Sequence, residues 1–111
     1  MRVISKLLFI VLFSSQASAG DVSSAQIETL MLDRNHGEKV FIKLNKKHTY
    51  PINCHKNSWE YILDISDDLG KSIYSSLLAS YAAGTTVNFI GSSSCSLYPN
   101  IESLRRIELE K

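Results

Sequence analysis

The sequence has no marked excess of either charge and no apolar run long enough to cross a membrane. It carries 12 Lys and Arg against 11 Asp and Glu, a formal net charge of +1. Proteins that bind nucleic acid usually carry a strong basic excess, so this balance argues against nucleic acid and anionic membranes as partners. The longest apolar run, residues 7–13, is far short of the roughly 20 residues that span a bilayer.

The sequence also lacks the patterns of common catalytic and cofactor sites. It contains no G-x-S-x-G, no G-x-G-x-x-G and no P-loop. The three histidines, His36, His48 and His55, lack the spacing of zinc ligands, and we interpret them as exposed loop residues. Asp67 and Asp68 are explained more simply as a helix cap than as an acid pair. We therefore expect no catalytic residues, no metal site, no cofactor and no enzymatic activity.

The N-terminal residues have the three-part layout of a cleaved secretory signal. Arg2 and Lys6 precede the apolar run, and small and polar residues lead to Ala17 and Ala19 in an A-x-A pattern. The short apolar run disfavours the alternative of a membrane anchor. Cleavage after Ala19 leaves one small domain, residues 20–111, with ten Lys and Arg against eleven Asp and Glu. The layout predicts a secreted or periplasmic bacterial protein.

The chain has only two cysteines, Cys54 and Cys95, and both follow the predicted signal. An even cysteine count in a small exported protein indicates a disulfide. The flanks of Cys95, GSSSCSLYP, are polar and turn-forming, so we predict a bond that ties this loop to the loop of Cys54. A reactive thiol or a metal ligand is the alternative, but neither cysteine has C-x-x-C spacing.

Apolar periodicity predicts a mostly β domain with one helix. Residues 20–24 are expected to fray, and five strands are predicted at 26–32, 39–44, 59–65, 85–91 and 104–109. In the third of these, Trp59, Tyr61, Leu63 and Ile65 are predicted to share one face. An amphipathic helix of about 15 residues is expected between Asp67 and Gly84. This order is typical of an α+β fold, a five-stranded antiparallel OB-like barrel with its helix between strands three and four. An open sheet is the alternative.

Aromatic and basic residues near the two cysteines form a candidate ligand surface: Tyr50, Lys56, Trp59 and Tyr98. An exposed aromatic ring can pack on the apolar side of a sugar while neighbouring polar groups bind its hydroxyls. A core position is the alternative for Trp59, because its predicted strand face continues with apolar residues. The basic stretch around Lys56 favours an acidic ligand or, more simply, a solvated loop.

The layout resembles the B subunits of AB-type bacterial toxins. The shared features are a signal peptide, about 90 mature residues, one disulfide and a late helix, and residues 73–89, IYSSLLASYAAGTTVNF, are similar to the helix-glycine-strand passage of those proteins. The resemblance implies an exported OB-fold protein that forms a homo-oligomeric ring and binds glycans. No glycan-binding motif matches, so no binding residue is carried over. A monomeric accessory or inhibitor protein with a protein ligand is the alternative, and a small hydrolase a less favoured one.

Overall fold

A computed structural model describes residues 19–111, so the predicted signal up to residue 18 lies outside the described part. This part contains one α-helix and six strands: β1 (Asp21–Ala25), β2 (Ile27–Leu32), β3 (Lys39–Leu44), β4 (Tyr61–Asp64), α1 (Asp68–Ala83), β5 (Val87–Gly91) and β6 (Leu104–Glu108). The strands form two antiparallel sheets with the orders β1-β5-β6 and β2-β3-β4. One 3-10 turn, Arg34–His36, joins β2 to β3.

The predicted five-stranded OB-like barrel is wrong, because the strands number six and lie in two three-stranded sheets. Most of the segment predicted to fray belongs to β1, whose Val22 is buried and pairs with Phe89. Ser24 lies within β1 and adopts a φ of +50°, where the β1–β5 register shifts between Val22 and Ala25. β2 then begins at Ile27, in the other sheet. Between β4 and β6 a single parallel bridge, Ile62 with Ser103, stands in place of a ladder.

The predicted helix is confirmed, and both of its ends follow from local chemistry. The side chain of Asp67 accepts a hydrogen bond from the backbone N–H of Gly70 at 2.7 Å, which caps the first turn. Gly84 ends the helix in the left-handed conformation, at a φ of +68°. Among residues 19–111, no helical segment has both the length and the apolar character needed to cross a membrane.

The core has two parts on opposite faces of the β2-β3-β4 sheet. Alternate residues of β3 (Val40, Ile42 and Leu44) pack in the larger cluster with Tyr61, as their period of two predicts. Phe41 points the other way, into a smaller cluster with Ile62 and Ile101. Trp59 packs against this smaller cluster and not beside Tyr61, so the shared face predicted for it is wrong. The reason is that Trp59 precedes β4 and lies outside its alternation.

The long connection between β3 and β4, residues 45–60, is bonded covalently to the loop after β5. The predicted disulfide between Cys54 and Cys95 is confirmed, with a sequence separation of 41. The backbone N–H of Lys56 also donates to the carbonyl of Asn100 at 2.9 Å. The disulfide is compatible with an oxidising compartment outside the cytoplasm.

We expect the double variant Cys54→Ser, Cys95→Ser to lose about 4 kcal/mol of unfolding free energy, because the bond restricts the unfolded chain over a loop of about 40 residues. Urea unfolding at pH 7 measures this loss. Wild-type protein should show the same loss in reductant, whereas the double variant should not respond to reductant. An unchanged urea midpoint in fully reduced wild-type protein would contradict the prediction.

Candidate functional site

A buried carboxylate, that of Glu102, lies just before β6 and is 0% exposed. Its Oε2 accepts hydrogen bonds from the backbone N–H of Gly20 at 3.1 Å and of Ser93 at 2.9 Å. Its Oε1 lies 3.4 Å from Nε2 of His48, and neither of these two atoms has a hydrogen-bond partner within residues 19–111. Because a carboxylate removed from water needs compensating donors, this group depends on its immediate neighbours.

Two glycines allow the chain to approach this carboxylate closely. A Cβ at Gly20 would lie 2.5 Å from Oε1 of Glu102 and 2.6 Å from Cδ2 of His48. A Cβ at Gly91 would overlap the same carboxyl group. Both positions therefore exclude a side chain while Glu102 remains in place.

We call five residues around this carboxylate the polar centre: Gly20, His48, His55, Tyr61 and Glu102. Three of them contribute rings. The ring of His48 lies between those of His55 and Tyr61, at centroid distances of 4.6 and 4.7 Å. The backbone N–H of Glu102 donates to Nδ1 of His55 at 3.1 Å. The hydroxyl of Tyr61 donates to the carbonyl of Gly20 at 2.5 Å. The polar centre thus brings β4 together with Gly20, which precedes it in the sequence, and with Glu102, which follows it.

Burial determines the protonation of two rings in the polar centre. It raises the pKa of Tyr61 far above its usual value, and the nearby Glu102 and Asp21 charges raise it further, so the hydroxyl remains a donor. Burial also lowers the pKa of His55, and repulsion from His48 lowers it further. A neutral His55 whose Nδ1 accepts a hydrogen bond must carry its proton on Nε2.

A cleft with a volume of about 200 Å³ opens beside the polar centre, and we call it the basic cleft. Its lining residues are Lys47, His48, Pro51, His55, Lys56, Asn57 and Glu60. The side chain of Glu60 is 1% exposed, and its Oε2 accepts from the backbone N–H of Leu44 at 2.8 Å. Its Oε1 lies 3.4 Å from Nζ of Lys47, whose side chain is 74% exposed. The cleft therefore has cations at its rim and buried acidic groups beneath.

The structure divides the predicted ligand surface into separate places. Trp59 and Tyr98 come together because both rings pack on Phe41, at centroid distances of 5.9 and 5.3 Å. Lys56 lies in the basic cleft instead. Tyr50 is 81% exposed and lines neither the cleft nor the Phe41 cluster.

Sequence reasoning missed the two buried acids, Glu60 and Glu102, and the interpretation of His48 as an exposed loop residue is wrong. The side chain of His48 is 3% exposed, because it packs between two other rings. A glycine inside a strand often marks the close approach of another group, so Gly91 was the one available signal. The sequence could not show which group approaches it.

Comparison with known proteins supplies no relative from which a function could be carried over. Protein families, curated proteins and solved structures contain no match to this chain. Among residues 19–111, no group of three or more His, Cys, Asp or Glu side chains is arranged to hold a metal ion. The functional argument therefore depends on the geometry of the polar centre and the basic cleft.

We expect His55 to titrate below its usual pKa of 6.5, because folding buries its ring beside His48. The unfolded chain then binds the proton more readily, so the stability contributed by neutral His55 is complete above pH 6.5 and is lost as pH falls through the lowered pKa. NMR titration of the ring protons gives the pKa directly. Urea midpoints between pH 7.5 and 5 should fall less in His55→Asn, whose side-chain oxygen can still accept from Glu102. A His55 pKa at or above 6.5 would refute this.

Proposed function

We propose that the chain is an exported binding module without catalytic activity, and that it binds a glycan bearing a carboxylate in the basic cleft. The observation that carries the proposal is the convergence of Lys47, His55, Lys56 and Asn57 on one concave surface of about 200 Å³. Ammonium and amide donors around a concavity suit a ligand that combines one negative charge with several hydroxyls.

The donors of the cleft are partly fixed in position before any ligand arrives. The Oδ1 atom of Asn57 accepts from the backbone N–H of Trp59 at 3.0 Å, which leaves the side-chain NH₂ group available. Neutral His55 keeps its remaining donor on Nε2, since Nδ1 is occupied. Hydrogen bonds from charged donors to a carboxylate are about twice as strong as neutral ones, so the two lysines favour a carboxylated sugar over a neutral one.

The positions of the acids support binding over hydrolysis. A glycosidase needs two carboxyl groups that flank the bond to be cleaved. Glu60 and Glu102 are 1% and 0% exposed, and both are engaged by backbone N–H groups. Of the two, only Glu60 lines the cleft, and one carboxyl group does not make the pair that hydrolysis needs.

We expect Lys47→Ala, Lys56→Ala to bind carboxylated glycans about tenfold more weakly, the effect of losing one good charged hydrogen bond. A glycan array followed by titration calorimetry on the best carboxylated sugar measures it. The matched control is Lys71→Ala, Lys111→Ala, which removes the same charge outside the cleft and should bind normally. Equal binding of carboxylated and neutral glycans, or equal losses in both variants, would count against this site.

We also propose that the module assembles as a homo-oligomeric ring, which the resemblance to toxin B subunits implies. The supporting observation is an apolar groove of about 280 Å³ between α1 and β6, which includes Ile73 and Ile107. At its edges Leu69 and Leu109 are 69% and 57% exposed. A second copy that covers these side chains removes apolar surface from water. A monomeric accessory or inhibitor protein is the alternative.

Light scattering across a dilution series should give one constant multiple of the monomer mass, because a closed ring has a fixed number of subunits. Leu69→Ser, Leu109→Ser should shift the protein toward monomer, since it removes the apolar edges of the groove. The control Leu32→Ser changes a leucine that is 53% exposed outside the groove. A wild-type monomer at every concentration would remove the ring and favour the accessory-protein alternative.

A further inference from the structure

The carboxylate of Glu102 has less compensation than its burial requires. It is 0% exposed, and two neutral backbone N–H groups donate to its Oε2. Its Oε1 has no hydrogen-bond partner within the described part of the chain, and Nε2 of His48, at 3.4 Å, is equally unpaired. A buried carboxylate normally has a cation or several more donors beside it. Glu102 therefore lies in a site that fits one further positively charged donor.

The residue that could supply this donor is Gly20. It is buried, and its N–H already points at Oε2 of Glu102. The space where a side chain would begin is taken by Oε1 and by the ring of His48. The hydroxyl of Tyr61 holds the Gly20 carbonyl from the other side. Gly20 is also the first residue after the predicted signal cleavage at Ala19.

We propose that cleavage after Ala19 frees the amino group of Gly20, and that this ammonium is the buried counter-ion of Glu102. The inference rests on the export and signal cleavage in the proposed function. In the cleavage, a peptidase of the exporting cell adds water across the Ala19–Gly20 peptide bond. The Ala19 carbonyl carbon takes the hydroxyl, the Gly20 nitrogen takes the hydrogen, and the new amine binds one proton from solvent.

The geometry suits an ammonium better than an amide. The amide of Gly20 has one hydrogen, which is directed at Oε2. An ammonium at the same place has three, and the unpaired Oε1 of the same carboxyl group lies 2.5 Å from where a Cβ of residue 20 would stand. A charged donor also forms the shorter and stronger hydrogen bond. Cleavage therefore gives Glu102 both the missing charge and the missing donor.

The ammonium has a defined pH signature. Its ionisable neighbours are Glu102, His48, His55, Tyr61 and the adjacent Asp21. The α-amino pKa in an unfolded chain is about 8; burial lowers it and an adjacent carboxylate raises it, and a net rise is what the ion pair requires. The stability from this pair is then fully present below pH 8 and is lost as pH rises through the raised value. The remaining neighbours titrate in any variant that keeps them, so a comparison of variants isolates the amine.

The test compares two full-length precursors expressed in an exporting bacterium. One is the wild-type chain, and the other carries a Ser-Gly insertion between Ala19 and Gly20. The insertion keeps the A-x-A pattern and the neutral N–H of Gly20 but moves the free amino group two residues away. Intact mass of each exported protein locates its first residue. Acylation by a small amine reagent, followed by peptide mapping, then measures how fast the terminal amine reacts.

We expect the exported wild-type protein to begin at Gly20. Its amine should react at least about tenfold more slowly than in the urea-unfolded protein, because a buried amine reacts only when the structure opens. The amine of the insertion variant should react at the unfolded rate. That variant should melt about 5 °C lower at pH 7, the shift typical of losing one charged pair in a domain of this size, and this difference should vanish toward pH 11.

The outcomes separate the inference from the function on which it rests. A mature chain that begins elsewhere removes the cleavage premise and, with it, this part of the proposed function. A chain that begins at Gly20 but reacts at the unfolded rate, or melts like the insertion variant at every pH, overturns only the ion pair. Glu102→Gln provides a second check, because it keeps the shape of the side chain and should make wild-type and insertion chains equally stable.

Discussion

The burial of one carboxylate, that of Glu102, is the constraint on which most of the loop structure depends. Through its side chain and its backbone N–H it contacts the segment before β1 at Gly20, the loop after β5 at Ser93 and the β3–β4 connection at His55. Each of these segments lacks a regular ladder of its own at the point of contact. The loops are therefore ordered by a shared polar group, with the disulfide acting nearby.

Polar side chains replace strand partners at two places where the ladders are interrupted. Where β3 ends, the N–H of Leu44 donates to the side chain of Glu60. Where β1 gives way to β2, the N–H of Ser24 donates to the side chain of Asn88, at 2.7 Å. The Leu44 N–H is buried, and leaving such a group unpaired costs about as much as a lost hydrogen bond, whereas the bond of Ser24 is exposed. Each of these hydrogen bonds lies within a single sheet, whereas the bridge between Ile62 and Ser103 links the two sheets.

The elements that could be predicted from the sequence are those whose causes are local. β3 follows from the alternation of its own residues, and α1 follows from the caps at Asp67 and Gly84. The disulfide follows from having only two cysteines. β1 was missed because the segment GDVSS is polar, and its pairing depends on β5, more than sixty residues later. The burial of Glu102 could not be predicted, because charged residues usually lie in solvent and its partners Gly20 and His55 are far away in the sequence.

Contacts between residues far apart in the sequence also shape the basic cleft. Lys56 could be assigned to a ligand surface because basic side chains in a loop indicate a binding role. The cleft itself depends on the burial of Glu60 beneath it and on the anchoring of residues 45–60 by Cys54. Neither feature can be derived from the composition of that loop.

The contact between Gly20 and Glu102 also has a consequence in time, because 82 positions separate the two residues. A ribosome adds residues at about 5–20 per second, so Glu102 is made roughly 4–16 seconds after Gly20. For most of that interval β1 lacks its partner strand, because β5 starts only at Val87, and Gly20 lacks the carboxylate throughout. The order of synthesis therefore makes the burial of Gly20 by Glu102 one of the last contacts of the fold that can form.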